Sequence, residues 1–510
     1  MLRKPVAVAW FHKDDPFPRN AFPLAAVLAA QALLFCLRLD LLPLWGDEWL
    51  THGIASHASI GGILQSLHGD VHPPLYFLLI HAWMGLPLPW TGIPAMRAFS
   101  VLASLASTAV LDRFWLVRWP PARRLTGLIL FAFSPCLLLY GRMARSYAMQ
   151  TLFALLAVSL LARWLSEPRA ILRWALPALV SSVALLYTHY LPGIAILAGF
   201  TLLAWRRLRI VQVALFDAAA ALVYTPWLFA LAGAVRSWGE GAPFQARYSL
   251  SGSTAVEAVV KIGVTLASFT VGETFLPVCL VLVPVAALLA WRGRRGNLPS
   301  ATPPAFLGIA ALVGFVGAAR WVTWPFVAAR LLWLLPFFLL LVAAGYFTLR
   351  PRARKIALAA ILISFVSSEV LYFRRENFLN LGYNAPMREI AAELRRSARS
   401  GDVVLADGYN GDPGVLDLYL GGAAPLIALK EGAMPEARDA IRRSAGVWVV
   451  RNTHDVSPGR EVTAMEEEAC RGKVRSTAFY GTYATWQRSA MQAVTHHPAP
   501  EFYYEVTNCR

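Results

Sequence analysis

Residues 22–50 read FPLAAVLAAQALLFCLRLDLLPLWGDEWL, an almost uninterrupted apolar run that ends in two adjacent acids, Asp47 and Glu48. The apolar part, about 22–44, is long enough to cross a bilayer, which requires roughly 20 apolar residues. Carboxylates are costly to remove from water, so acids at the edge of a span are expected to have a partner or a function. The stretch therefore predicts a membrane span followed directly by a candidate polar site.

The composition of the chain extends this prediction beyond one span. Of its 510 residues, 57% are hydrophobic and only 15% are charged, with a mean hydropathy of +0.51. Soluble proteins of this length are less apolar, so we expect a polytopic α-helical membrane protein. The net charge of +17 comes from basic residues in short loops between apolar runs, which is the positive-inside pattern. These loops indicate contact with membrane lipids rather than with nucleic acid.

About eleven apolar segments are predicted to span the membrane. They lie at about 22–44, 97–117, 125–140, 146–163, 174–189, 191–205, 211–231, 274–291, 305–319, 330–349 and 356–373. Basic residues in every second loop place the N-terminus in the cytoplasm and the C-terminus outside, with 45–96 as a long first external loop. Residues 255–271 form either an interfacial helix or a span. Residues 1–373 are thus predicted to be a transmembrane domain.

The composition changes after residue 373, where long apolar runs give way to charged, periodic segments. Helices are predicted at 387–398 and 435–444, and strands at 402–406 and 446–451. This alternation predicts an extracytoplasmic α/β domain over 374–510. We interpret it as an accessory domain, because no glycine-rich phosphate loop opens either helix. Two cysteines of this tail, Cys470 and Cys509, are either paired by an oxidising compartment or free.

The pair Asp47-Glu48 has two interpretations. Acids at this position commonly form the N-cap and first turn of a short helix. Alternatively, a carboxylate in a partly dry site serves as a general base toward a hydroxyl. Trp45 and Trp49 flank the pair, and tryptophan is typical of the membrane interface. A reactive base at the interface is therefore a specific hypothesis for this pair.

A second polar motif, Asp70-Val71-His72-Pro73-Pro74-Leu75-Tyr76, follows in the same predicted external loop. The double proline is explained by a helix start, where the missing N–H groups cost nothing. A helix N-terminus also suits a phosphate group. Because the helix start does not explain Asp70 and His72, we predict that these residues and Tyr76 bind substrate.

Further candidates stand at predicted external ends of spans. Arginines there run against the positive-inside preference; they bind lipid headgroups, form ion pairs with the acids, or clamp a phosphate. For the tyrosines beside them, an aromatic belt at the membrane interface is the more common explanation. The candidates for substrate binding are Arg142, Arg145, Tyr147, His189, Tyr190, Arg320 and Arg330.

These motifs together resemble the GT-C membrane glycosyltransferases, in the bacterial branch related to protein O-mannosyltransferases and lipid A aminoarabinose transferases. The motifs are Asp47-Glu48, the segment Asp70–Tyr76, Ala144-Arg145-Ser146-Tyr147-Ala148 and Tyr187-Thr188-His189-Tyr190. They occur in the expected order within the first 190 residues. The many spans and the external C-terminal domain extend the resemblance along most of the chain.

The resemblance implies transfer of a hexose or pentose from a polyprenyl-phosphate donor to a hydroxyl of a glycan, lipid or protein, with inversion, at the outer face of a bacterial inner membrane. Asp47 would be the base that activates the acceptor, with Glu48 assisting. His72 takes the place of a lysine that contacts the lipid phosphate in aminoarabinose transferases. Met143 stands where many relatives carry a glutamate. No specific cofactor is predicted; a divalent metal is compatible with these motifs but is not indicated by them.

Two other classes of function are compatible with a polytopic chain. A transporter or flippase of lipid-linked or small polar solutes is expected to show internal repeats and charged residues near the middle of its spans. The acids of this chain instead lie near predicted span ends, as Asp112, Asp217 and Glu369 do. The replacement of the expected glutamate by Met143 is compatible with a non-catalytic lipid-binding relative, since a fold does not guarantee a function.

Overall fold

The computed structural model describes residues 22–68, 70, 72–204, 208, 210–240, 254–274, 279–294, 304–321, 328–407, 412–429, 433–453, 460–495 and 500–510. The chain divides into two compact units. Within the described residues, the first contains 22–39, 54–240 and 254–377, and the second contains Asp40–Gly53 and the residues from Phe378 onward. The stretch before residue 22, whose basic residues contribute to the predicted orientation, lies outside the described residues.

Helices make up the described chain as far as residue 374. In chain order they are α1 (Phe22–Cys36), α2 (Gly46–Ala55), α3 (Ile60–Ser66), α4 (Leu75–Met84), α5 (Gly92–Leu111), α6 (Pro121–Ala132), α7 (Pro135–Gly141), α8 (Tyr147–Ser166), α9 (Leu176–Thr188), α10 (Tyr190–Ala204), α11 (Ile210–Glu240), α12 (Thr254–Val271), α13 (Cys279–Gly293), α14 (Pro304–Trp321), α15 (Leu335–Tyr346) and α16 (Pro351–Arg374). Short π-helical turns, Asp112–Leu116 and Ile171–Ala175, adjoin α5 and α9, and a 3-10 helix, Ala328–Leu334, precedes α15.

Each predicted span overlaps one α-helix, or two in the case of 125–140, which confirms the polytopic α-helical membrane fold. Among the described residues, six helices are long and apolar enough to cross a membrane, or seven if α6 and α7, bent by 47°, form one span. The remaining predicted spans correspond to the shorter apolar helices α1, α10, α13 and α14. Residues 255–271 form helix α12, whose placement across or along the membrane stays a prediction.

The predicted boundaries of two spans are wrong. Helix α1 ends at Cys36 rather than near residue 44, and Arg38 adopts a φ of 49°, a left-handed conformation that interrupts helical geometry. Helix α11 continues past residue 231 to Glu240, and it also contains Pro226 in its interior. A proline inside a helix removes one backbone hydrogen bond and can bend the helix, but it does not always end it. Pro226 therefore does not mark the end of α11.

The second unit contains a five-stranded sheet. Its strands are β1 (Asp402–Asp407), β2 (Leu426–Leu429), β3 (Gly446–Asn452), β4 (Arg475–Thr482) and β5 (Phe502–Cys509), in the order β2-β1-β3-β5-β4. Strand β1 pairs in parallel with β2 and β3, whereas β5 is antiparallel to β3 and β4. The helices of this unit are α17 (Met387–Ser397), α18 (Asp412–Leu420), α19 (Met434–Arg443), α20 (Arg460–Cys470) and α21 (Thr485–Thr495), with a 3-10 turn at Leu381–Asn384.

The α/β character predicted for the tail is confirmed. The two predicted helices are α17 and α19, and the two predicted strands are β1 and β3. Apolar side chains of β1 and β3 pack with Ala437, Ile441 and Met465 from the helices into a buried core. Cys470, at the end of α20, and Cys509, at the end of β5, form a disulfide with 4.8 Å between their Cα atoms. The disulfide joins this helix layer to the sheet.

The second unit also contains Asp40–Gly53, a segment from the predicted first external loop and the end of the predicted first span. The N–H of Leu44 donates a hydrogen bond to the hydroxyl of Tyr419 over 3.1 Å. The ring of Trp45 meets Tyr383 edge-on, with centroids 5.1 Å apart. The ring of Trp49 lies against Gly414, where a larger residue would meet its Nε1. The acidic pair is thus held on a segment that packs against the sheet domain.

Candidate active site

Asp47 and Glu48 occupy the first turn of α2. The side chain of Glu48 is buried, with 1% exposure, and its Oε2 accepts the backbone N–H of Trp45 over 3.2 Å. This contact satisfies a backbone donor at the start of the helix, so the capping interpretation applies to Glu48. Asp47 is half-buried, and its backbone carbonyl accepts the hydroxyl of Thr51. Of the two acids, Asp47 therefore has the more accessible carboxylate.

Asp70 and His72 form a tight pair immediately before α4. One oxygen of Asp70, Oδ1, accepts the backbone N–H of His72 over 2.9 Å and faces its ring Nδ1 at 2.5 Å. An aspartate that accepts the N–H two residues ahead forms an Asx turn, which fixes the local chain direction. Helix α4 then begins at Leu75 with Pro74 as its N-cap, as the double proline predicts. The turn thus fixes the ring of His72 through both its backbone and its side chain.

The other ring nitrogen of His72 contacts Arg145, which lies in the break between α7 and α8. The Nη2 of Arg145 stands 3.1 Å from Nε2 of His72. Arg145 is buried, with 4% exposure. An arginine only donates hydrogen bonds, so Nε2 must be the acceptor and carry no proton. The proton of the ring is therefore on Nδ1, where it points to Asp70.

His189 and Arg330 extend this group from two further elements. His189 lies in the break between α9 and α10, and its ring is perpendicular to that of His72, with centroids 6.4 Å apart. The ring of Tyr190 lies 5.3 Å from that of His189. Arg330 lies on the 3-10 helix before α15, half-buried. Four separate segments of the first unit therefore contribute to one group. We call this group the histidine–arginine site; it consists of Asp70, His72, Arg145, His189 and Arg330.

The charges of the site follow from its contacts. Burial acts to raise the pKa of Asp70, but the hydrogen bonds from the side chain and backbone of His72 and the charge of Arg145 outweigh it, so the pKa is lowered. Asp70 is thus ionised near pH 7. Arg145 acts on Asp70, and Arg330 lies near His189 and Tyr190, so the group contains two arginines and one carboxylate and has a net positive charge suited to an anion.

Arg142, another predicted substrate residue, contacts the chain just beyond α1 instead. Arg142 is buried, and its Nη2 donates to the carbonyls of Leu37 and Arg38, each over 2.7 Å, just beyond the end of α1. Its guanidinium also lies over the rings of Tyr372 and Phe373. An arginine that satisfies carbonyls at the end of a helix stabilises that end. These contacts tie α1 to α16.

Tyr76 and Tyr147 are both buried among other aromatic residues. Tyr76 packs against Phe77 and Phe99 in the core around α4. Tyr147 begins α8, and its ring lies 5.9 Å from that of Tyr140. Arg320 lies on α14, but its side chain is outside the described residues. Their predicted roles in substrate binding stay predictions.

One acid that the sequence reasoning missed is Glu273, just after α12. It is buried, and its Oε1 accepts the hydroxyl of Tyr140 over 2.6 Å and that of Ser268 over 3.0 Å. Tyr140 stands three residues before Met143, where the resemblance expects a carboxylate. The signal available in the sequence was an acid that directly follows an apolar helix. Glu273 therefore supplies a buried carboxylate beside the segment that carries Arg145.

Metal binding by protein side chains alone requires several suitable ligands close together. Within the described part of the chain, no group of three or more histidine, cysteine, aspartate or glutamate side chains is placed to hold a metal ion.

The fold defines the class of protein. No family model matches the sequence, and no curated protein matches it. Among solved structures, the chain is similar to ArnT from Cupriavidus metallidurans in the apo state, with a TM-score of 0.55 and 14% identity over 95% of this chain and 97% of ArnT. ArnT bound to undecaprenyl phosphate matches with a TM-score of 0.55 and 14% identity, over 96% and 98% of the two chains.

A weaker likeness is found to the oligosaccharyltransferase of Archaeoglobus fulgidus, with a TM-score of 0.49 and 11% identity over 96% of this chain and 89% of that one. The likeness to ArnT, at a TM-score of 0.55, shows that the chain has the fold of ArnT. At 14% identity the likeness establishes the fold alone.

Proposed function

We propose that this protein is an integral-membrane glycosyltransferase that transfers a sugar from a polyprenyl-phosphate donor to an acceptor hydroxyl. The observation that carries the proposal is the histidine–arginine site, a partly buried and positively charged group in a chain with the ArnT fold. ArnT itself has been crystallised with undecaprenyl phosphate. A phosphate leaving group needs positive charge and hydrogen-bond donors, which Arg145 and Arg330 provide.

The reaction assigns distinct tasks to the two groups of residues. Asp47 takes the proton of the acceptor hydroxyl, whose oxygen attacks the anomeric carbon of the sugar. The bond from this carbon to the phosphate oxygen breaks, and the oxygen leaves with the electron pair. Attack from the face opposite the leaving group inverts the anomeric configuration. Arg145, Arg330 and His72 stabilise the charge that develops on the phosphate, while Asp70 orients His72.

Glu48 and Tyr190 have supporting roles in this proposal. The buried carboxylate of Glu48 fixes the first turn of α2 through the N–H of Trp45, and so orients Asp47. The ring of Tyr190 lies beside that of His189, next to the phosphate site. The acceptor is a glycan, a lipid or a protein, and the sugar is a hexose or a pentose. None of these choices changes the tasks of Asp47 and Arg145.

The proposed location is the inner membrane of a bacterium, with the reaction at its outer face. The disulfide between Cys470 and Cys509 supports this orientation, because disulfides persist in oxidising compartments. Together with the positive-inside pattern, it favours an extracytoplasmic second unit and a cytoplasmic N-terminus. The donor is dissolved in the bilayer, so its phosphate lies at the interface.

The proposal is tested with the purified full-length protein in lipid vesicles and a panel of polyprenyl-phosphate sugars, with loss of donor as the readout. Glycosyl transfer, or slow hydrolysis without acceptor, is expected for at least one donor. Movement of a labelled donor across the vesicle membrane with its sugar–phosphate bond intact would indicate a flippase instead. Binding of donor without turnover or movement would indicate a non-catalytic lipid-binding protein.

A further inference from the structure

The hydrogen bonds of His72 raise a question about how its site accepts a phosphate. In the structure, Nδ1 donates to Asp70 and Nε2 accepts from Arg145. The outward nitrogen of the ring thus presents a lone pair. The oxygens of a phosphodiester also present only lone pairs, because none of them carries a proton at neutral pH. In this protonation state the ring of His72 repels a phosphate.

Protonation of His72 removes this obstacle. A histidinium donates from both ring nitrogens, so Nε2 would then bind a phosphate oxygen while Nδ1 stays on Asp70. The same proton is incompatible with the present position of Arg145, because two donors would face each other across 3.1 Å. Protonation of His72 and the contact between Arg145 and His72 therefore exclude one another. A phosphate that accepts from both side chains resolves the conflict.

We propose that the donor phosphate binds together with one proton on Nε2 of His72, which separates Arg145 from His72 and makes both side chains phosphate ligands. This inference rests on the proposed function. In this proposal His72 binds the phosphate as a permanently charged side chain would, and the affinity for the phosphate therefore depends on pH.

The surroundings of His72 favour this residue over His189 as the carrier of the proton. Among the described residues, the charged and titratable groups near His72 are Asp70 from its own turn, Arg145 from the α7–α8 break, His189 and Tyr190 at the α9–α10 break, and Arg330 near His189. Of these groups Asp70 is the anion, and it contacts Nδ1 of His72 directly. Nδ1 of His189 instead accepts the backbone N–H of Leu191 over 3.3 Å. The carboxylate thus stabilises a cation at His72 and not at His189.

The probe must itself keep a constant charge, since a phosphate monoester titrates in the same range as histidine. The methyl ester of undecaprenyl phosphate is a phosphodiester and stays a monoanion. Its affinity for the full-length protein in phosphatidylcholine nanodiscs is measured from pH 5.5 to 8.5. We expect affinity to fall by about tenfold per pH unit across the range where a histidine loses its proton. Calorimetry in two buffers of different ionisation heat is expected to show uptake of about one proton per ligand near pH 7.5.

Three variants separate His72 from the rest of the loop. His72→Lys, which is always charged, is expected to bind the probe with no pH dependence over this range. His72→Gln, a neutral donor, is expected to bind at least tenfold more weakly at pH 5.5, also without a slope. His68→Lys adds a charge at an exposed position of the same loop and is expected to keep the wild-type slope.

Two results would overturn the inference and leave the proposed function in place. One is wild-type binding that does not change with pH; the other is a slope that survives in both His72→Lys and His72→Gln. Absence of binding to the probe at every pH would overturn the proposed function as well.

Discussion

The guanidinium of Arg145 donates a hydrogen bond to Nε2 of His72, with 3.1 Å between the two nitrogens and 73 residues between them in the chain. The bond connects the turn before α4 with the break between α7 and α8. Neither residue lies within a regular helix, so side-chain contacts fix their positions. The bond determines the protonation state of His72 and brings a buried cation to the same place.

Replacement of Asp47 by asparagine is expected to lower kcat for glycosyl transfer by about 10²–10⁴-fold, the usual contribution of a general base. Insertion and folding are expected to be unchanged, because asparagine keeps the size and polarity of the side chain. Asp40→Asn, at an exposed position of the same segment, is the matched control and is expected to retain full turnover. Undiminished turnover by the Asp47→Asn protein would exclude Asp47 as the base.

Replacement of Arg145 by alanine is expected to weaken use of the donor more than use of the acceptor. Loss of a charge-assisted contact to phosphate raises the KM for the donor by roughly tenfold or more, since hydrogen bonds to charged groups contribute about 1.5–3 kcal/mol. Steady-state kinetics with each substrate varied in turn measures this difference. Equal effects on both KM values would assign Arg145 a purely structural role.

The other arginine of this segment, Arg142, is expected to behave differently. Its side chain binds two backbone carbonyls just beyond the end of α1, so Arg142→Ala removes the donor from two partly buried acceptors. This change is expected to destabilise the protein by about 1–3 kcal/mol, visible as a lower Tm in detergent. The KM for the donor is expected to be unchanged in the folded fraction. A normal Tm with a raised donor KM would instead place Arg142 at the phosphate.

The disulfide between Cys470 and Cys509 leads to predictions about the stability of the second unit and about the side of the membrane on which it lies. Removal of the bond between Cys470 and Cys509 by serine at both positions is expected to cost about 2–4 kcal/mol, measured as earlier loss of near-ultraviolet dichroism in denaturant. In intact cells, a membrane-impermeant thiol reagent is expected to label these cysteines only after external reduction. Labelling that requires permeabilisation of the inner membrane would place the second unit in the cytoplasm.

The lowered pKa of Asp70 predicts a response to acid. A carboxyl with a lowered folded pKa stabilises the fold above its unfolded pKa, about 3.9 for aspartate, and this contribution is lost as the pH falls through the folded pKa. The Asx turn before α4 is therefore expected to loosen below about pH 4. Hydrogen exchange of this segment, corrected for intrinsic rates, measures the loss. Asp70→Asn is expected to be looser already at pH 7 and to show no further change in acid.

Much of the fold was predictable because its causes are local. A run of apolar residues such as 330–349 predicts a helix in a membrane without reference to the rest of the chain. The periodic spacing of apolar residues in 387–398 likewise predicts a helix, and the proline pair before Leu75 predicts a helix start. The exact ends were less predictable, since the left-handed conformation at Arg38 has no signature in an arginine. Side-chain contacts with Arg142 hold that end of α1.

The candidate site was predicted only in part for a related reason. The sequence identified Asp70, His72 and Arg145 as candidate site residues, but it did not distinguish Arg145 from Arg142, three positions earlier. Only packing directs Arg145 to His72 and Arg142 to the carbonyls beyond α1. Glu273 was missed because its partner, Tyr140, lies 133 residues away in the chain.

By itself, the sequence determined that the chain is a polytopic α-helical membrane protein, and it identified the apolar segments and the polar motifs. Hydrophobicity and local conformational preference act over short stretches, so both can be recognised in the sequence alone. The tertiary structure decided which of the polar residues meet. It separated the capping acid Glu48 from the more accessible Asp47, and it placed a carboxylate and an arginine on opposite nitrogens of His72. Such contacts depend on distances between segments far apart in the chain, which no local pattern encodes.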